Sequence, residues 1–520
     1  MYWADKIAES IVSSKKFKPY WVDDMKTLSG FAHIGSIRGP IIHDLIYKSL
    51  KANGQKVKYT FVFNDFDPID SLSSDLKEKF SNYMGVPLRA APSPQPGYKS
   101  FADYFCSNFR EVFKTLGIEA EFLSSWDMYH EGKFDEVIRV ALDNTEKIQD
   151  IYKRISGSQK KEQGWLPFQV VCENCGKLGT TKVYAWDGKE VSYRCEPNLV
   201  TWAQGCGHEG KISPFGGTGK LPWKVDWPAH WRVIGVTIEG AGKDLASKGG
   251  AYDIAMEISE EVFGYSRPYK LPYEHFLIGG RKMSTSKGLG LRARDWIKMV
   301  PPEIGRFLFV KSNYREALEF NPFGTMAIPD LFDEYDRCWK AFVEGSDETL
   351  ARTFELAQIK RTPPKKDLFL PRFKDVANYL QFPDVVLAKK FAEIKGAELT
   401  KEELGILAER EKYAKVWVEE YAPAEYRVGM SEELPKEASK LDREQKEFLS
   451  RVANLLEKMK DPGSLQQELY KVAKKGGEVK KAFAGIYLAM IGQDHGPKAA
   501  WFLLSYPKEK VIKRLKEASK

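Results

Sequence analysis

The stretch Gly30-Phe31-Ala32-His33-Ile34-Gly35-Ser36 runs straight into a helical pattern in which Ile37, Ile41, Ile42, Leu45, Ile46 and Leu50 share one face. Asn53-Gly54 supplies the stop. Directly after it, Tyr59 to Phe63 (YTFVF) is a continuous apolar and β-branched run, as a strand buried on both faces of a parallel sheet should be. A glycine-bearing loop that opens a helix and hands on to a buried strand is the repeating unit of a layered α/β fold.

Working outward, Arg232 to Ile238 (RVIGVTI) reads as a second buried strand, followed by a glycine-rich loop and a helical stretch from Gly250 to Phe263. His275 to Ile278 reads as a short strand ending at Gly279-Gly280. The expectation is an α/β, Rossmann-like, doubly wound parallel-sheet domain over residues 1–295, with ligands at the carboxyl ends of its strands. Insertions are expected at about 68–125, which holds the proline-rich Tyr83 to Tyr98, and at 164–217, which holds most of the cysteines. Beyond Pro301 the pattern turns helical, with joints at Pro363-Pro364 and from Pro423 to Pro435, giving all-α regions over 296–370 and 371–520. No internal repeat or low-complexity tract is present.

Composition narrows the class. The 520 residues are 43% hydrophobic and 29% charged, which excludes a largely disordered or fibrous chain. Mean hydropathy is −0.43 and no run of apolar residues is long enough for a membrane span. The opening MYWADKIAES lacks a basic and apolar leader, so a cytoplasmic protein with no membrane partner is expected. Of 80 basic and 72 acidic residues, 15 and 7 respectively fall between Arg451 and Lys520. That segment carries the whole net charge of +8, and a basic end on a neutral body reads as either a polyanion-binding surface or a solvated helical face.

Two loops carry phosphate chemistry. At the first, the N–H groups and positive dipole end of the helix attract phosphate, Gly30 and Gly35 let backbone approach a nucleotide, and His33 would donate to a phosphate oxygen. The second is Arg281 to Gly290 (RKMSTSKGLG), where Lys282 and Lys287 with Ser284, Thr285 and Ser286 make a cationic hydroxyl loop suited to a triphosphate. Taken singly, the first reads rather as a capped helix start and the second as a solvated basic turn.

The cysteines form a third motif. Cys172-x-x-Cys175-Gly is the turn of a zinc knuckle, completed by Cys195 and Cys206, with His208 as the alternative fourth ligand. The second half is irregularly spaced, so a ribbon that has lost its metal is the competing reading. Acids near the loops are candidates to receive an ammonium group: Asp65 and Asp67 after YTFVF, and Glu239 and Asp244 after RVIGVTI, with Trp231 beside His230 as an apolar wall. Asp65 and Asp67 serve equally well as turn caps.

HIGS and KMSTSK together resemble the HIGH and KMSKS signatures of class I aminoacyl-tRNA synthetases, and the chain is most similar to the archaeal-type class I lysyl-tRNA synthetases. The resemblance extends through EGAGKD (Glu239 to Asp244), GGAYDIAMEI (Gly249 to Ile258), DEYDR (Asp333 to Arg337) and IYLAMIGQDHGPKAAWFL (Ile486 to Leu503). Ser36 stands at the fourth HIGH position and Thr285 at the fourth KMSKS position, with Lys287 two places on supplying the second charge. The stretch from Pro92 to Phe105 lacks the Cys and His residues that some relatives carry there.

The resemblance implies a lysine–tRNA ligase whose substrates are ATP, L-lysine and tRNA(Lys), with Mg2+ and a structural Zn2+, in a monomeric chain. It implies ATP binding by Gly30, His33, Gly35, Ser36, Lys282, Met283, Ser284, Ser286 and Lys287, with His33, Lys282 and Lys287 catalytic. Lysine would be held by Asp65, Asp67, Trp231 and Glu239. Residues 296–370 would be a helical stem-contact region and 371–520 an anticodon-binding domain. A related synthetase for glutamate and a tRNA-binding paralogue without aminoacylation remain as alternatives.

Overall fold

The structure, a computed structural model, describes residues 1–158, 164–283, 290–360, 363, 365–382, 385–426, 430–431, 433–496 and 498–520. The chain divides into two compact units, one of residues 1–321 and 337–365 and another of residues 322–336 and 366–520.

The first unit is built on a five-stranded parallel sheet: β1 (Tyr20–Lys26), β2 (Val57–Phe63), β3 (Glu121–Ser124), β4 (Ile238–Gly242) and β5 (Tyr269–Tyr273), in the order β5-β4-β1-β2-β3. The chain steps outward from β1 to β2 and β3, then returns to the other side of β1 to lay down β4 and β5. This reversal leaves a crevice between the carboxyl ends of β1 and β4, where α/β sheets bind ligands. The expected helix is α1 (Arg38–Ala52), entered through a 3-10 turn over Ile34–Ile37, and Ile37, Ile41, Ile42, Leu45, Ile46 and Leu50 are all buried. YTFVF lies inside β2 and pairs in parallel with both β1 and β3.

One expectation is corrected. Arg232 to Ile238 is not a strand: helix α2 (Trp223–Ile234) continues to Ile234 and is ended by Gly235 in the left-handed conformation, φ 94°. The strand follows as Ile-Glu-Gly-Ala-Gly of β4. The stretch Gly250 to Phe263 forms α3 (Ala251–Glu261) as expected. Phe276–Ile278 is a strand, but it belongs to a separate small sheet, antiparallel to Arg281–Lys282 and parallel to Leu318–Glu319. The turn between its first two strands holds Gly279 and Gly280 at positive φ, and their N–H groups donate to Glu319 Oε1 and Oε2 at 2.7 and 2.9 Å.

The 164–217 region carries an antiparallel three-stranded sheet of Thr181–Trp186, Val191–Cys195 and Glu209–Ile212. It shares an apolar core with Phe66, Tyr129, Phe134, Ile148 and Ile254. The second unit is helical. Helices Arg443–Lys458, Pro462–Lys475, Val479–Ile491 and Lys508–Ala518 enclose Leu449, Val452, Leu465, Ile486, Phe502 and Leu515. Within that unit Asp333 and Asp336 of the DEYDR segment are structural, pairing with Arg372 and Arg410 respectively, each at 2.5 Å. Among the described residues no helix is long and apolar enough to cross a membrane.

Candidate active site

At the crevice between β1 and β4 lies a cleft of about 310 Å3. His33, Gly35, Ser36 and Met283 line it, together with Asp24, Lys26, Arg38, Tyr273, His275 and Asp244. The backbone explains why the two sequence motifs share it. Ile34 N–H donates to Leu291 O and Ala293 N–H to Ala32 O, each at 2.8 Å, and His33 and Arg292 form an antiparallel bridge. The HIGS loop is thus laced to the residues that follow the KMSTSK loop. Gly35 lets the loop pack closely, since a Cβ at that position would stand 2.9 Å from Met283 Cε and 3.0 Å from His33 Nδ1 and would make those side chains shift. The buried Ser36 hydroxyl has no hydrogen-bond partner among the described residues, which leaves it to a ligand. Gly30 is buried just before the loop. Lys282 contributes its backbone to the small sheet, whereas Ser284, Thr285, Ser286 and Lys287 lie outside the described residues.

The acids divide differently from the sequence expectation. Asp65 is buried against the chain after β3, accepting from Ser124 Oγ at 2.7 Å and Trp126 N at 2.9 Å. Burial raises its pKa above the ordinary aspartate range, with those hydrogen bonds opposing the shift. Asp67 is held by Lys220 Nζ at 2.5 Å and by the Thr27 hydroxyl. Glu239 is buried and closed over by two indoles, Trp227 Nε1 at 2.6 Å and Trp231 Nε1. Its pKa is pushed well above the carboxylate range by burial and by Asp23, its neighbour across the ladder. None of Asp65, Asp67, Trp231 and Glu239 lines the cleft.

The carboxylate that does so at depth is Asp24, at the end of β1. Its Oδ1 accepts from Met25 N–H at 2.8 Å, and its Oδ2 lies 3.5 Å from His43 Nδ1. Burial raises its pKa, opposed by His43, the Met25 N–H and Lys26. His43 Nε2 accepts from Gly240 N–H at 2.7 Å, so the ring proton sits on Nδ1, which faces Gly39 O and Asp24. Arg38 also reaches the cleft, but its guanidinium is tied to Asn313 O and Glu316 O at 3.1 and 2.5 Å. At the rim, Asp244 Oδ1 meets His275 Nε2 at 2.9 Å. Sequence reading missed Asp24, Lys26, Arg38, Tyr273 and His275; the signal available was a run of charges, Asp-Asp-Met-Lys, just ahead of the HIGS loop.

Cys172, Cys175, Cys195 and Cys206 come together, with ligand sulfurs within 4.8 Å of one another. The Cys172–Cys206 and Cys175–Cys195 sulfur pairs are 3.6 and 3.7 Å apart. Zinc–sulfur bonds of about 2.3 Å in a tetrahedron put sulfurs about 3.8 Å apart, so the four thiols fit a tetrahedral metal site. His208 is outside this group; its carbonyl receives Cys195 N–H at 2.8 Å.

A cleft at the switch point of a parallel sheet, lined by the HIGS loop and Met283, with that loop laced to residues 291–293, has the layout of the catalytic domain of a class I aminoacyl-tRNA synthetase. Residues 1–360 match the family model for tRNA synthetases class I (K), and residues 368–519 match that of an anticodon binding domain. The chain belongs to the class I (K) tRNA synthetase family. It is 34% identical to the lysine--tRNA ligase of Methanocaldococcus jannaschii over 99% of each chain. It is 31% identical to that of Methanosphaera stadtmanae over 99% of each, and 31% identical to that of Archaeoglobus fulgidus over 100% of each. Among solved structures, a glutamate tRNA ligase from Elizabethkingia meningosepticum is similar over 96% of this chain and 99% of its own, at 12% identity and a TM-score of 0.43.

Proposed function

We infer that this chain is a lysine–tRNA ligase that joins L-lysine to AMP and then passes the lysyl group to the 3′ end of tRNA(Lys). The observation that carries the chemistry is the lacing of the HIGS loop to the segment after KMSTSK around one cleft. Full-length similarity to archaeal lysine--tRNA ligases supports the amino acid. In the first step an oxygen of the lysine carboxylate attacks the α-phosphorus of ATP, and the bond to the β-phosphate breaks to release pyrophosphate. The carboxylate is already a nucleophile, so catalysis rests on alignment and on charge stabilisation. His33, the Ser36 hydroxyl and the N–H groups at the start of the helix hold the phosphates. Lys282 and Lys287 stabilise the leaving pyrophosphate, and Mg2+ supplies further charge neutralisation when bound with ATP.

Asp24, rather than the four residues expected from sequence, receives the substrate ε-ammonium, because it is the carboxylate presented deep in the cleft. The four-cysteine cluster takes a structural Zn2+ that fixes the fold of the inserted sheet. Free thiols throughout fit a reducing compartment such as the cytoplasm. The helical second unit meets tRNA at its anticodon end, its basic helices contacting phosphates.

The test is amino-acid-dependent ATP–pyrophosphate exchange across the twenty amino acids, with and without tRNA. Lysine alone should support exchange, and His33→Ala should lower its kcat by about 100-fold or more. Exchange with a different amino acid would overturn the specificity. Its absence under both conditions would overturn the enzyme.

A further inference from the structure

We propose that Lys26 is a catalytic residue, its ammonium meeting the amino-acid carboxylate and the α-phosphate where the acyl–phosphate bond forms. This rests on the reading of the cleft as the site of adenylate formation. Lys26 is the last residue of β1, the central strand, and stands at the switch point where the crevice opens. Its carbonyl accepts Asn64 N–H at 3.0 Å, which fixes the main chain. Side chains two apart on a strand leave from the same face at a separation of about 6.6 Å, so Asp24 and Lys26 both line the cleft. One strand end therefore offers a carboxylate deep in the pocket and a cation farther along it. That order suits a substrate with an ammonium at one end and a carboxylate at the other.

Lys26 is not engaged by the protein itself. It is half-buried, its ammonium forms no hydrogen bond or ion pair among the described residues, and the one charge that acts on it is Asp24, two residues back. Burial lowers its pKa and Asp24 raises it. A cation kept partly out of water without a partner is costly unless an anion arrives. Arg38, which also lines the cleft, is anchored through Nη2 to two backbone carbonyls. In the step itself a carboxylate oxygen bonds to the α-phosphorus and the electron pair of the broken bond leaves on pyrophosphate. No proton moves, and Lys26 remains an ammonium as charge builds on the phosphoryl oxygens.

Pyrophosphate exchange by Lys26→Met and Lys26→Arg in the full chain tests this, with thermal melting to check folding. Met should lower kcat about 100-fold while the KM values for ATP and amino acid change by less than about fivefold. Arg should recover part of kcat, and methylammonium added to Lys26→Met should recover part as well. A Met variant that melts like wild type and keeps kcat within threefold overturns the proposal. So does one that raises only the amino-acid KM, and so does an Arg variant as inactive as Met if both are folded. Carboxylate and α-phosphate are common to every aminoacyl adenylate, so the comparison is made with whichever amino acid the wild type activates. Wild-type exchange with another amino acid would overturn the lysine reading and leave the Lys26 comparison standing.

Discussion

Lys220 Nζ lies 2.5 Å from Asp67 Oδ1, and the same ammonium reaches Asp226 Oδ2 at 3.0 Å. The chain thus supplies its own lysine to an acid that the sequence marks as a substrate ligand. Lys220 is 2% exposed, and Tyr129 Oη donates to Asp226 Oδ1 at 2.5 Å. Burial works against the Lys220 charge, but Asp226 and Asp67 outweigh it and hold the ammonium above the ordinary lysine range. The contact ties the short Gly219–Lys220 strand, which pairs with Gln169–Val170, to the first turn of α2 and to the loop after β2.

Lys220→Met should therefore destabilise the protein by about 3–5 kcal/mol, because it leaves Asp226 buried without its cation. Denaturant unfolding of the variant checks this, and a loss below about 1 kcal/mol would mean that the pair is merely tolerated. Lys220→Met with Asp226→Asn should recover part of the loss, since the uncompensated charge is removed with its partner.

The cysteine cluster should bind one zinc per chain, readable by elemental analysis of purified protein. Cys175→Ser should lose most of it. Stripping the metal should expose the inserted sheet to protease first, since Cys172 and Cys195 are buried in the core shared by that sheet and the parallel sheet's helices. Zinc retained undiminished in Cys175→Ser would remove that thiol from the ligand set.

Asp24→Asn should raise the KM for lysine by roughly 10- to 150-fold, the equivalent of one charge-assisted hydrogen bond of about 1.5–3 kcal/mol, with little change in the KM for ATP. The pH dependence has a definite sign. Burial raises the Asp24 pKa, and only the ionised form attracts an ammonium. Lysine affinity should accordingly weaken as pH falls, beginning at a higher pH than an exposed aspartate would require. Steady-state KM for lysine against pH, in wild type and Asp24→Asn, reads this directly; parallel profiles would exclude Asp24 from lysine binding.

The legibility of this fold in its sequence follows the chemistry. YTFVF was readable because both faces of β2 are covered, so every position is apolar or β-branched. Strand β1 (YWVDDMK) was not, although it is the centre of the sheet, because its end carries the charges that face the cleft and breaks the apolar run. Strand β4 lacks an apolar signature because its glycines serve packing: a Cβ on Gly240 would stand 2.9 Å from Leu271 O and 3.1 Å from the His43 ring. The apolar run before it instead finishes α2. HIGS and the four cysteines were readable as motifs because each sets particular residues at short spacing, and the structure brings each group together. The acid lining the cleft was not, since any buried acid near a strand end fits the description until its partners are seen.

The helical second unit should carry its own acid sensitivity, centred on Glu403. Its side chain closes the start of helix Lys401–Val416, accepting from Thr400 N at 2.8 Å, Phe369 N at 2.9 Å and Lys395 Nζ at 2.6 Å. Burial alone would raise its pKa, but Lys395 and the two N–H groups prevail and push it down to about 2. A carboxyl depressed in the folded state stabilises fully above its unfolded pKa of about 4.3, and that contribution is lost as pH falls toward 2. Glu403→Gln should cost about 2–3 kcal/mol at neutral pH, where the charge-assisted bonds to Lys395 and the backbone are lost. The difference between wild type and variant should hold level from pH 7 to 5 and narrow at pH 4 and 3 in denaturant unfolding, because protonation then removes the same charge from the wild type. A gap that stays constant down to pH 3 would show that Glu403 acts through packing alone, and its ion pair with Lys395 would then contribute nothing to the unit's stability.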